Sequence, residues 1–205
     1  MKKIIITILT NLFVLNSFGQ TDSLLNSLQV TFQVKQELFP KKMLFTQRWA
    51  WGEHGFMRKG VPVTPEIREH DMLIRRKMLI RHQQLGYITL GGMVAQGIVG
   101  PILYNNQDNS SIKSLHEALG LAVNVTYSLT AIKSLFAPPP MLNRDKGITS
   151  IRLHKWLAIA HLSGMIATNI LASQTEDHPN LKSYHRSAAY FTFASFAAAV
   201  FVIKL

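Results

Sequence analysis

Four histidines recur in one kind of place. They head the phrases His82-Gln83-Gln84-Leu85-Gly86, His116-Glu117-Ala118-Leu119-Gly120, His154-Lys155-Trp156-Leu157-Ala158 and His185-Arg186-Ser187-Ala188-Ala189, and about twenty mostly uncharged residues follow each one. Neutral imidazole is the commonest side-chain ligand for a metal ion. In every phrase glycine or alanine stands four residues after the histidine. Residues i and i+4 stack on one face of a helix, so Gly86, Gly120, Ala158 and Ala189 leave the surface one turn deeper than each imidazole almost bare. A flat, bulky ligand held by the imidazole needs that gap.

The stretches that follow the histidines are long enough to cross a bilayer as helices. Short connections make successive helices antiparallel neighbours. His82 and His154 are therefore expected at one face of the membrane and His116 and His185 at the other. Two imidazoles at each face make two bis-histidine metal sites. Such ligation leaves no open position, which suits a haem that carries electrons rather than one that binds a substrate.

In these residues the sequence resembles the cytochrome b561 family and its transmembrane ferric-reductase relatives. The likeness runs from about Arg81 to the C-terminus and includes the Leu153-His154 and Tyr184-His185 contexts. It implies four core helices carrying two non-covalent b haems, with the first and third helices ligating one and the second and fourth the other. The implied activity is electron transfer across the bilayer. Its donor would be ascorbate, quinol or a redox protein, and its acceptor ferric iron or another redox carrier. Assembly as a homodimer or as a subunit of a complex stays open. The family usually adds a helix on each side of this core, and neither is recognisable here.

Composition narrows the alternatives. At 205 residues, 47% of them hydrophobic, the chain fits one membrane domain with a modest extramembrane segment. It has no cysteine, which excludes disulfides, cysteine-ligated iron–sulfur clusters and covalently attached haem. The formal net charge of +11 comes without a nucleic-acid motif, and the basic residues flank apolar spans. Lipid headgroups and haem propionates are the expected counter-ions, and no nucleic-acid partner is expected. There is no His-Glu-x-x-His motif, phosphate-binding glycine loop or nucleophile elbow.

In chain order, residues 1–19 read as a secretory signal, with Lys2 and Lys3 before an apolar run and Ser17-Phe18-Gly19 at the cleavage site. Residues 20–80 read as an extramembrane, partly amphipathic segment, in which Trp49 and Trp51 favour the bilayer interface and His54 is solvated or locally bonded. Thr64-Pro65-Glu66 starts a helix that can run into the first span. Arg75, Arg76, Lys77 and Arg81 on it are interfacial anchors, one or two of them available to haem propionates. Residues 81–205 form the membrane domain, with spans at Arg81–Ile102, Ser114–Phe136, Ile151–Ala172 and Tyr184–Ile203. Polar or proline-rich turns separate the spans at Asn105–Asn109, Pro138–Pro140 and Thr175–Asn180. His161 can be an alternative ligand, a partner between haems or, the reading favoured, a hydrogen-bonded packing residue, and Gln96, Asn124 and Asn169 are expected to bond between helices.

The expectation is an all-α integral membrane protein of the cell (inner) membrane: a four-helix transmembrane bundle holding two haems, its N-terminal segment outside. The signal argues for that orientation. The Lys/Arg distribution argues against it, since Arg144, Lys146, Arg152 and Lys155 then lie outside. Two rival readings are a cytochrome b anchor subunit of a quinone-linked oxidoreductase and a haem-free membrane scaffold.

Overall fold

The computed structural model describes residues 38–141 and 149–203. The expected signal and the loop cations Arg144 and Lys146 lie outside the described residues. The described residues are all-α, with helices α1 (Phe45–Trp51), α2 (Pro65–Asn105), α3 (Ser110–Leu135), α4 (Ser150–Ala172) and α5 (Lys182–Val202).

Local chemistry sets the helix ends. Thr64 is extended, its hydroxyl accepts from the Ile67 N–H, and Pro65 and Glu66 occupy the first turn. Such a cap is worth about 1 kcal/mol. Asn109 caps α3 through Ile112 N–H at 3.1 Å, and Thr149 caps α4 through Arg152 N–H at 3.3 Å. Pro138-Pro139-Pro140 follows the end of α3 and cannot continue it. From its cap α2 runs 41 residues without a break, about 60 Å at 1.5 Å per residue. The domain boundary expected at Arg81 therefore falls inside a continuous helix.

The four long helices make two antiparallel hairpins, α2 with α3 and α4 with α5, packed along their lengths. The hairpins approach each other chiefly through α2 and α5. Met93, Val123, Tyr127, Met165 and Phe196 form the apolar centre between them. Asn124 and Asn169 exchange two hydrogen bonds of 2.9 Å across α3 and α4. At Gly164 the hairpin α4–α5 is so close that an added Cβ would lie 3.3 Å from Thr192 Cα.

Polarity is distributed inside-out. Thr89, Thr130, Thr192 and Ser195 are buried, and each hydroxyl donates to a carbonyl one turn back on its own helix. Ile98, Leu121, Ile166 and Phe191 face outward on the four helices, each more than half exposed. By length and composition, only Pro65–Asn105 among the described helices is long and apolar enough to cross a membrane.

Residues 38–63 fold over one end of the first hairpin. The last carbonyls of a helix have no partner within it, and here α1 and its flanks supply them. Thr46 Oγ1 donates to Leu135 O at 2.6 Å, Gln47 Nε2 to Ala137 O at 3.2 Å and Trp51 Nε1 to Phe136 O at 2.8 Å. Beneath them Asp71 accepts from Arg58 at 2.7 Å and Arg68 at 2.6 Å, all three side chains buried. Arg68 also donates to Leu38 O and Pro139 O, and Arg75 to Pro138 O. Trp51 is thus turned into the protein, although the sequence placed both tryptophans at a bilayer interface. Trp49, two residues earlier, stays 57% exposed beside Phe56.

Candidate functional site

The hairpins bring the four histidines together in the expected pairs. His82 on α2 faces His154 on α4, with ring centroids 6.1 Å apart and planes at 86°. His116 on α3 faces His185 on α5 at 6.3 Å and 82°. Each pair spans the two hairpins, and the pairs lie toward opposite ends of the bundle because α2 and α4 run one way and α3 and α5 the other.

Three of the rings are fixed by main-chain carbonyls. His82 Nδ1 lies 2.9 Å from Thr130 O, His154 Nδ1 2.8 Å from Ala199 O, and His185 Nδ1 3.0 Å from Thr168 O. A carbonyl can only accept, so Nδ1 carries the proton in each case and Nε2 keeps its lone pair. That is the tautomer a metal-binding imidazole needs, held by the type of outer contact that orients such ligands.

One register produces all of these contacts. Each acceptor follows its own helix's histidine by fourteen residues: 116 to 130, 154 to 168 and 185 to 199. Fourteen residues is close to four turns of 3.6, so histidine and acceptor share a face about 21 Å apart along the axis. In an antiparallel hairpin the acceptor of one helix then lies level with the histidine of its neighbour. The fourth member of the set is Gln96, fourteen residues after His82. It does lie against His116, but with a different bond: its side-chain Nε2 donates to His116 O at 2.7 Å.

The two pairs can each supply opposed nitrogen ligands to one metal ion. With a metal–nitrogen bond of about 2 Å and about 1 Å more to each ring centre, the centroids of two axial imidazoles stand about 6 Å apart. Among the described residues, no group of three or more His, Cys, Asp or Glu could hold a metal ion. Any further ligands would have to arrive with the metal.

The small residues of the four phrases have neighbours within their own hairpins. An added Cβ at Gly86 would lie 3.9 Å from the Thr130 methyl, and at Gly120 3.1 Å from Gln96 Nε2. Ala158 and Ala189 are half-buried, as are the four histidines. His161 lies between the two pairs in sequence register, its Nδ1 2.7 Å from the Tyr127 hydroxyl and its ring 5.0 Å from that of Phe196. It is a hydrogen-bonded packing residue of the core, as expected. His54 is exposed. Sequence reasoning missed the main-chain acceptors and the Arg58–Asp71–Arg68 cluster; the fourteen-residue spacing was the available signal for the first.

No protein-family model matches the chain, and neither a curated protein nor a solved structure is similar to it.

Proposed function

We propose that this chain is a diheme b-type cytochrome whose four long helices span the membrane, resembling the cytochrome b561 core, and that it passes electrons between the two faces. The observation that carries the reading is the two facing imidazole pairs, three of the four rings held by carbonyls in the ligating tautomer. His82 and His154 would hold one haem and His116 and His185 the other. The haem would supply the one-electron couple. The protein would supply imidazole nitrogens as ligands, hold their orientation through the carbonyl contacts and surround them with the half-buried interior of the bundle.

Four further features support it. The about 21 Å between the histidine layers fits within a hydrocarbon core of about 30 Å. Outward apolar faces on all four helices and buried hydroxyls on α2, α3 and α5 suit lipid surroundings. The hairpin backbones come close mainly through α2 and α5, so those of α3 and α4 stand further apart. Non-covalent binding follows from the lack of cysteine. Donor and acceptor of the classes named above, ascorbate, quinol, ferric iron or a redox protein, would exchange electrons at the two ends.

The test is a pyridine haemochrome assay on purified protein, with reduced-minus-oxidised spectra of single variants. The expected ratio is two haems per chain. His82→Ala and His154→Ala should remove the same spectral component, and His116→Ala and His185→Ala the other. Protein that takes up no haem would leave a membrane scaffold whose imidazoles simply meet edge to face.

A further inference from the structure

The fourth histidine breaks the rule that the other three obey. His116 Nδ1 is buried and has no hydrogen-bond partner, and among the described residues one other buried side-chain atom is in the same state: Gln96 Oε1. These two orphans belong to residues already joined, because Gln96 Nε2 donates to His116 O at 2.7 Å. A buried polar atom left unpaired loses its hydration without a replacement bond.

We infer that Gln96 is the positioning residue of His116: its side-chain carbonyl is the acceptor for His116 Nδ1–H, in the role that main-chain carbonyls fill for His82, His154 and His185. The register brings Gln96 level with His116, and two glycines clear the space. An added Cβ at Gly120 would stand 3.1 Å from Gln96 Nε2, and one at Gly100 would stand 3.5 Å from His116 Cε1. The amide already holds this histidine by its main chain, and pairing the two orphaned atoms would hold its ring as well. The inference deepens the diheme reading and rests on it for its redox consequence. A side-chain acceptor can be exchanged by substitution, whereas a main-chain acceptor cannot, so this one of the four ligands is tunable at a single codon.

The test compares Gln96→Glu, Gln96→Leu and Ser163→Ala by optical redox titration of the haem-loaded protein. A carboxylate acceptor draws the Nδ1 proton and makes the imidazole more basic, which favours the oxidised metal. Gln96→Glu should shift one of the two midpoint potentials negative, that of the component lost in His116→Ala. Gln96→Leu should weaken haem retention at that site by about 10–100-fold and leave the other component in place. Ser163→Ala removes an exposed hydroxyl of α4 that bonds only within its own helix and should move neither. Equal shifts of both components, no shift in either Gln96 variant, or a Ser163→Ala shift as large as that of Gln96→Leu would overturn the assignment. Nitrogen-15 spectra of the imidazoles in haem-free protein provide a readout independent of cofactor binding. The Nδ1-protonated tautomer of His116 should be present and should be lost in Gln96→Leu. If wild-type protein takes up no haem yet shows that tautomer change, the diheme reading fails and the Gln96 contact stands; an Nε2-protonated His116 in the wild type sinks the contact itself.

Discussion

The two ends of the bundle carry the same pair of imidazoles in different surroundings. At the His82/His154 end the protein closes over itself. Residues 38–63 satisfy the last carbonyls of α3, and beneath them Asp71 holds two buried guanidiniums. Burial pushes the Arg68 guanidinium below its ordinary value, and the adjoining Asp71 carboxylate opposes that shift. At the His116/His185 end the contacts are on the surface. Lys113 pairs with Glu176, Lys182 Nζ donates to Gln107 Oε1 at 2.5 Å, and the Arg186 guanidinium lies 4.4 Å over the Tyr104 ring. The difference separates two tasks: hairpin register aims the imidazoles at both ends, while a buried polar network locks the surroundings at one end only.

That network should therefore give the largest effect on stability. Asp71→Ala removes the carboxylate shared by two buried cations and leaves both uncompensated, a loss of about 3–5 kcal/mol. In mild detergent the melting midpoint should fall, and residues 38–63 should become open to protease. The His82/His154 component should broaden or shift while the other keeps its shape. An unchanged midpoint would mean that the seal does not depend on the cluster, and the contrast between the ends would lose its main support.

A smaller change sharpens the same contrast. Trp51→Phe keeps an aromatic ring in place but removes the indole N–H that serves Phe136 O at 2.8 Å. An acceptor left buried costs about 1–3 kcal/mol. Amide exchange should accelerate around Leu135 to Ala137, where the helix end opens, and stay unchanged around Asn106 to Asn109. Acceleration at both places would show that the two ends melt as one unit.

The parts legible in the sequence were those written by local chemistry. Thr64-Pro65, the prolines after α3 and the asparagine turn after α2 act within a few residues, so the helices lie where the pattern puts them. Histidine pairing was legible for a related reason: alternating helix direction decides which imidazoles share an end. What could not be read depends on chain segments far apart in sequence. Arg68 meets the carbonyl of Pro139, 71 residues away, and nothing near Arg68 announces it. Trp49 and Trp51 are alike in type and two residues apart, yet Trp51 is buried and donates to Phe136 O while Trp49 stays exposed and meets Phe136 by its ring. Main-chain acceptors have no side-chain identity at all, and Gln96 became informative because it is the exception. The cap also bears on the basic residues that precede the first long apolar stretch. Arg58, Arg68 and Arg75 are engaged with Asp71 and with carbonyls of the protein, so their positions carry less information about the membrane face than a count of Lys and Arg suggests.

The smallest effect belongs to the open end. Lys113 holds the Glu176 carboxyl below its usual range, and Glu176 raises the Lys113 ammonium. For the depressed carboxyl, the contribution is present above an unfolded value of about 4.3 and is lost as pH falls through the lower folded value. For the raised ammonium, it is present below about 10.4 and lost as pH rises through the higher folded value. Across the range between those limits both groups stay charged, so the pair adds no pH dependence there. Both side chains are largely exposed, where water and salt screen the attraction and ordering two long side chains offsets it. Glu176→Gln should consequently leave the melting midpoint at neutral pH and about 0.15 M salt within the error of the measurement, and leave the His116/His185 component unchanged. A clear drop, especially one that survives high salt, would show that this loop pair supports the site as the buried cluster does at the far end, and the two ends would have to be regarded as equally locked.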